Sequence, residues 1–486
     1  MQTLVDALTD EAVLLTMPRP PRFRTAATIA ILLLATLLRF AHLHQRSLDN
    51  DEIAELRWSS LPFSQMMDQV RADMVHPPGD YLVQFIAGRI GPEWTRSLPS
   101  VVAGIASVAL LLFLGTCWVS WRAGAFAALF LAISPIHVFY SQEVRPYSLA
   151  LFCSLASLAA LERFERTERR RWAVGWFALV FLAGGTLYFA GMIAALGGLT
   201  RIFLDRTGRL NRLKRRLPLI IAAWALLYSP WFSVIRAASA RASPVPRGTL
   251  NWEWWTWRIQ SLAAGSERTW EPVSLASWIF WTCVLAGSLL SVRLRMLRVA
   301  TLMFLAGTAL EIVLLQAHPH YPAVRYLMPS WIACFLLAGA ALDLLSRRST
   351  TVPIVAASLL LIVGISAIKL DEYFRGDRSD WRDVAMYVHE RIRPGDTLVA
   401  ANPWVSRNFG YYWHQLPPIP NLNIRRYAPD STDLIGPAWI VTGGCFPRAA
   451  ARMAPLMKQF PRSELAEVRY LRPQRHMPIR EELCPE

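Results

Sequence analysis

Four short polar clusters carry the chemistry open to this chain. The first is Asp51-Glu52, within Ser47-Leu48-Asp49-Asn50-Asp51-Glu52. The second is His76-Pro77-Pro78-Gly79-Asp80-Tyr81, and the third is Glu143-Val144-Arg145-Pro146-Tyr147. The fourth is His318-Pro319-His320-Tyr321-Pro322-Ala323-Val324-Arg325-Tyr326. A carboxylate can take a proton from an incoming hydroxyl. Arginines can bind a phosphodiester and stabilise the charge that grows on a departing phosphate. Such a leaving group is already a good anion, so one base and one or two arginines suffice. The chemistry is transfer from a lipid phosphate. Each cluster also has a bland reading. Asp51 is a favoured N-cap type, Glu143 and Arg145 could pair structurally, and an arginine at a span end is often a snorkelling anchor. His76, His318 and His320 read as local hydrogen-bonding groups before metal ligands.

These clusters must be positioned by membrane helices. The chain has 486 residues, 54% of them hydrophobic and 18% charged, below the ~25% charged of soluble proteins. Apolar runs fall at about 25–43, 97–118, 123–140, 146–162, 172–187, 189–204, 217–235, 273–292, 299–316, 326–345 and 352–370, which predicts about eleven spans. The net charge of +16 lies in short arginine clusters between these runs. Such clusters are topology signals and argue against a nucleic-acid partner. They stand at Arg19/Arg22/Arg24, Arg122, Arg163 to Arg171, Arg201 to Arg216, Arg293/Arg295/Arg298 and Arg347/Arg348, at every second connection. The positive-inside rule makes that side cytoplasmic. The N-terminal segment 1–24 is then cytoplasmic, the bundle spans 25–370, and the tail 371–486 lies outside. A retained first span fits the N-terminus better than a cleaved signal peptide.

The four polar clusters fall on the outer side. The first outer loop, about 44–96, is expected to carry two amphipathic surface helices, near Glu52–Met67 and Tyr81–Ile90. The loop at 236–272 holds Asn251-Trp252-Glu253-Trp254-Trp255-Thr256-Trp257, a headgroup-level anchor or a stacking platform. The tail reads as a small α/β domain: helices at Ser379–Arg391 and Arg448–Gln459, strands at Thr397–Ala400 and Trp439–Thr442. Cys445 and Cys484 lie in it and could pair in an oxidising compartment. The other four cysteines sit in or beside apolar runs as small core residues, and no cysteine spacing suggests a metal site.

The order and spacing of Leu48-Asp49-Asn50-Asp51-Glu52-Ile53, His76-Pro77-Pro78, Arg96-Ser97-Leu98-Pro99-Ser100, Ser141-Gln142-Glu143-Val144-Arg145-Pro146-Tyr147 and Arg325-Tyr326-Leu327-Met328-Pro329 resemble the GT-C membrane glycosyltransferases. The nearest likeness is to bacterial glycosyltransferase family 39, with its protein O-mannosyltransferases and lipid A aminoarabinose transferase. The resemblance covers roughly residues 25–345. It implies a mainly α, GT-C-like bundle in a bacterial inner membrane. It implies a polyprenyl-phosphate sugar donor and inversion at the anomeric carbon, with a lipid, glycan or protein acceptor. It places the catalytic carboxylate on Asp51, with Glu52 beside it, and makes Arg145 and Arg325 candidates for the donor phosphate. His76, Glu143, Tyr147, Tyr188, His320 and Tyr326 are further site candidates. No cofactor is required, although some relatives bind a divalent cation near the acidic pair. Two departures concern the acceptor side: Asp80 stands where an apolar residue is common, and Tyr188 stands where a His-Tyr pair is often found.

Two other readings use the same residues. A transporter or flippase of lipid-linked sugars would also show arginines to a lipid phosphate, but it should carry polar groups near the bilayer midplane. Here the predicted span interiors are mostly apolar and the charges gather at one face. A degenerate family member serving as an assembly partner would not need Asp51, Glu52, Glu143 and Arg145 together.

Overall fold

A computed structural model describes residues 22–43, 46–89, 91, 93–240, 252–265, 274–317, 324–376, 381–400, 403–426 and 438–441. His318, His320, Cys445, Cys484 and the helix expected at Arg448–Gln459 lie outside these residues.

Each of the eleven apolar runs is helical. The helices are α1 (Arg22–Phe40), α5 (Leu98–Trp118), α6 (Trp121–Ile133) with α7 (Pro135–Gln142), α8 (Tyr147–Thr167), α9 (Arg170–Thr186), α10 (Tyr188–Phe203), α11 (Asn211–Ala240), α13 (Leu275–Leu290), α14 (Arg295–Ala317), α15 (Val324–Ser346) and α16 (Val352–Gly376). Among the described residues, seven helical stretches are long and apolar enough to cross a membrane by themselves. The α6–α7 pair, bent by 61°, makes an eighth if it is one broken span. The helices α10 and α13 are apolar but shorter. The most buried spans are α8 and α15, whereas α1, α11 and α16 present most of their surface outward. Close approach requires glycine at one crossing. A Cβ on Gly115 of α5 would stand 2.5 Å from the Gly124 Cα of α6.

The break between α6 and α7 has a local cause. Ser134-Pro135 interrupts the helix, because proline lacks the N–H that would continue the ladder. The carbonyls of Leu131 and Ala132 are freed, and buried Arg39 of α1 answers them. Its guanidinium donates to both at 3.1 Å, to the Ala35 carbonyl at 3.0 Å and to His137 Nδ1 at 2.6 Å. The span interiors are therefore less uniformly apolar than the sequence suggests. Arg39 nonetheless closes a helix break, which is a structural task.

The loop after α1 folds into three short helices rather than the two expected: α2 (Asn50–Ser59), α3 (Phe63–Asp73) and α4 (Gly79–Ala87), followed by a 3₁₀ turn at Glu93–Ser97. The expected Glu52–Met67 helix breaks at Leu61-Pro62, since a residue before proline is pushed out of the helical region. The tryptophan-rich stretch expected as loop forms α12 (Trp252–Ala264), with Trp252 exposed.

Beyond α16 lie α17 (Trp381–Arg391), β1 (Thr397–Ala400), α18 (Pro403–Trp413), β2 (Asn423–Arg426) and β3 (Ala438–Val441). The strands form a parallel sheet in the order β2-β1-β3. This layer shares a core with α2. Leu48, Ile53, Leu56 and Val144 pack with Trp381, Val388, Leu398, Phe409, Tyr412 and Trp413.

Candidate active site

The helix α2 starts at a capping box. The Asp49 side chain accepts the Asn50 N–H at 2.8 Å and also caps the third turn position, while the Glu52 side chain accepts the Asp49 N–H at 2.9 Å. Asp49 is thus the N-cap, and Asp51 carries no capping duty. Glu52 is fully buried. Its carboxylate takes two hydrogen bonds from Arg46 and one from the Val144 N–H at 2.8 Å. Glu52 therefore brackets α2 to the turn before α8.

Asp51 differs from its neighbour. It keeps solvent contact, yet protein surrounds it closely enough to desolvate it. Desolvation pushes its carboxyl upward, but the charge of Arg145, then of Arg325 and His76, outweighs this and holds it below the usual carboxylate range. Asp51, Arg145, Arg325 and His76 are therefore one electrostatic unit, contributed by α2, the α7–α8 turn, the start of α15 and the loop before α4.

Arg145 is buried and held from two sides. It donates to Glu55 Oε2 at 3.0 Å and to His76 Nε2 at 2.7 Å. Its partner is Glu55 and not Glu143, which the sequence offers as a neighbour. Glu143 is buried, and its charge acts on Arg46. The guanidinium carbons of Arg145 and Arg325 stand 5.8 and 6.0 Å from the Tyr147 ring centroid, so the two cations share one phenol. Arg325 also lies over Tyr326 at 5.5 Å, and His76 meets the Tyr147 ring edge-on at 6.2 Å. The Tyr147 hydroxyl is buried and finds no hydrogen-bond partner among the described residues. An orphaned phenol between two arginines suits a ligand oxygen. Tyr188 lies elsewhere. It accepts from Trp231 and packs beside Met66, Val70 and Tyr81, under α3 and α4.

Sequence reasoning missed Glu55 and underused Asp80. Both are buried. Burial raises both carboxyls above their ordinary range, Glu55 the further; the charge of Asp80 adds to the rise of Glu55, while Arg145 opposes both shifts and a hydrogen bond with Glu55 offsets part of the rise of Asp80. The signal for Glu55 was its spacing: with Glu52 it puts two acids three residues apart, on one helix face.

A divalent cation does not fit the acidic pair. Glu52 is committed to Arg46 and two amides, and Asp51 faces two guanidinium groups whose charge repels a metal. Among the described residues no group of three or more His, Cys, Asp or Glu side chains is arranged to hold one.

No protein-family model matches the sequence, and no curated protein matches it. Solved structures do. The lipid A aminoarabinose transferase ArnT from Cupriavidus metallidurans, in its apo state, aligns over 82% of this chain and 86% of its own, at 14% identity and a TM-score of 0.50. The chain has the GT-C fold. A second GT-C protein, the apo oligosaccharyltransferase from Archaeoglobus fulgidus, aligns over 82% of this chain at 11% identity and a TM-score of 0.51. This chain spans 64% of that protein. At these identities the likeness speaks for the helical membrane architecture, and chemistry must be argued from the site.

Proposed function

We propose that the protein is an inverting glycosyltransferase that moves a sugar from a polyprenyl-phosphate donor to an acceptor hydroxyl at the periplasmic face of the inner membrane. The observation that carries this reading is the grouping of one solvent-reached carboxylate, Asp51, with Arg145, Arg325 and His76 at one end of a membrane bundle. The donor phosphate sits between Arg145 and Arg325, with the Tyr147 hydroxyl donating to it. The acceptor oxygen attacks the anomeric carbon from the face opposite the phosphate. The bond from that carbon to the phosphate oxygen breaks, and polyprenyl phosphate leaves with the electron pair. The acceptor proton passes to Asp51.

The electrostatics give this order a reason. Before the donor binds, the arginines hold Asp51 as a weak base. A bound phosphate neutralises them, so Asp51 becomes a better base only when the donor is in place. Glu52 acts as a positioning residue, because its carboxylate is spent on Arg46 and backbone amides.

The test is transfer of radiolabelled sugar from polyprenyl phosphate in proteoliposomes. Asp51→Asn should lower turnover on the order of a hundredfold or more, the range of a lost general base, and should leave undecaprenyl phosphate binding intact. Undiminished turnover removes Asp51 from the mechanism.

A further inference from the structure

Beside Arg145 lie two buried acids that the proposed transfer reaction does not use. Glu55 belongs to α2 and Asp80 to α4. Glu55 Oε2 accepts from Arg145 at 3.0 Å. Glu55 Oε1 and both Asp80 oxygens are buried, and no donor from another described residue reaches them. Two ionised carboxylates in this position would leave three acceptor oxygens unsatisfied and two like charges together, a costly arrangement. A proton held between the carboxyls removes both problems.

We propose that Glu55 and Asp80 form a one-proton carboxyl pair that positions Arg145 for the donor phosphate and, by losing that proton, weakens donor binding as pH rises. The proposal rests on the phosphate subsite described above. With one proton the pair carries a single negative charge, which balances Arg145 and leaves Arg325 to face Asp51. With none it carries two, and the excess opposes an incoming phosphate.

The surroundings are consistent with this. Charges facing the pair come from every neighbouring element: Asp51 on α2, Asp73 at the end of α3, His76 before α4, Tyr81 on α4, Arg145 before α8 and Arg96 on the 3₁₀ turn. Arg96 is turned to Ser59, donating at 2.7 Å, and Asp51 and Asp73 add negative charge. Burial is the largest contribution holding both carboxyls above their ordinary range. On the α9 side of α4, Gly79 lies directly against the Gly185 carbonyl, where a Cβ has no room. That contact fixes the start of α4 and so the depth of Asp80.

The sign of the effect separates it from the ligand's own titration. A phosphate monoester gains its second charge near pH ~6, so simple attraction to arginine predicts tighter binding as pH rises. The carboxyl pair predicts the opposite. The experiment measures undecaprenyl phosphate affinity for the full-length protein in detergent between about pH 6 and about pH 9, by intrinsic tryptophan fluorescence. Wild type should weaken on the order of tenfold across that range, the effect of one added charge at short range in a protein interior. Asp80→Asn offers an amide N–H in place of the shared proton. It should bind like wild type near pH 6 and lose the alkaline fall. Glu55→Gln should bind more weakly already near pH 6, because Arg145 loses its ion pair. A wild-type affinity that is flat or rises with pH overturns the proposal without any variant having to fold. An alkaline fall that persists in folded Asp80→Asn overturns it as well. If wild type does not bind undecaprenyl phosphate at any pH, the donor reading fails and takes this proposal with it. Binding without the fall leaves the donor reading standing and removes only the pair.

Discussion

Glu52 accepts the backbone N–H of Val144 at 2.8 Å, which ties the helix carrying Asp51 to the turn carrying Arg145. The two residues are 92 positions apart in the chain. The same carboxylate holds Arg46 and the start of its own helix. The acid beside the proposed base is thus the element that fixes the distance from base to phosphate subsite.

Removing that acid should unfold the site locally. Glu52→Ala leaves Arg46 buried without its partner and two amides without an acceptor. Losing one member of a buried pair costs about 3–5 kcal/mol. Thermal unfolding in detergent should therefore show a clear drop in midpoint, and transfer should fall with it. Glu52→Gln keeps an acceptor oxygen for one amide and should lie between the two. A Glu52→Ala protein with an unchanged midpoint would show that the bracket carries no weight.

Hydropathy finds the eleven runs because a membrane helix must be apolar along its length, and it misses the α6–α7 break because proline does not lower the average. The partnership of Asp51 with Arg145 and Arg325 followed from motif order together with the alternation of basic loops. Glu55 stands three residues after Glu52 and so on the same helix face, but the spacing does not say that this face is interior; both acids are fully buried, while Asp51 stays exposed. The docking of the carboxy-terminal layer was not legible at all. Its contacts join residues more than three hundred positions apart, and no local pattern records them.

The pH dependence of transfer should report the Asp51 environment. Its carboxyl is held low despite desolvation, by Arg145 first, then Arg325 and His76. A carboxyl depressed by folding adds stability above its unfolded value and loses it as pH falls through the folded one. Asp51 therefore stays ionised throughout the neutral range, and the acid limb of kcat/KM should lie below the ordinary carboxylate range. Arg325→Gln removes one of the charges that depress it. The acid limb should then move to higher pH, along with a weaker donor affinity. A limb that stays in place while affinity falls would place Arg325 too far from Asp51 to act on it.

The carboxy-terminal layer gives the last prediction. The Leu48 N–H, one residue before the cap of α2, donates to the Tyr412 hydroxyl of α18 at 2.6 Å. Around it Arg382 pairs with Glu93 at 2.7 Å, and Tyr411 donates to Glu93 at 2.9 Å. This layer thus braces the start of the acidic helix. Tyr412→Phe keeps the ring and removes only the acceptor for a buried amide, a loss of about 1–3 kcal/mol. The change is remote from the proposed substrate contacts, so donor affinity should hold. Turnover should fall because Asp51 is less firmly placed, and limited proteolysis should cut the loop between α1 and α2 faster than in wild type. Unchanged proteolysis together with unchanged turnover would mean that α2 is positioned by Glu52 and its partners alone.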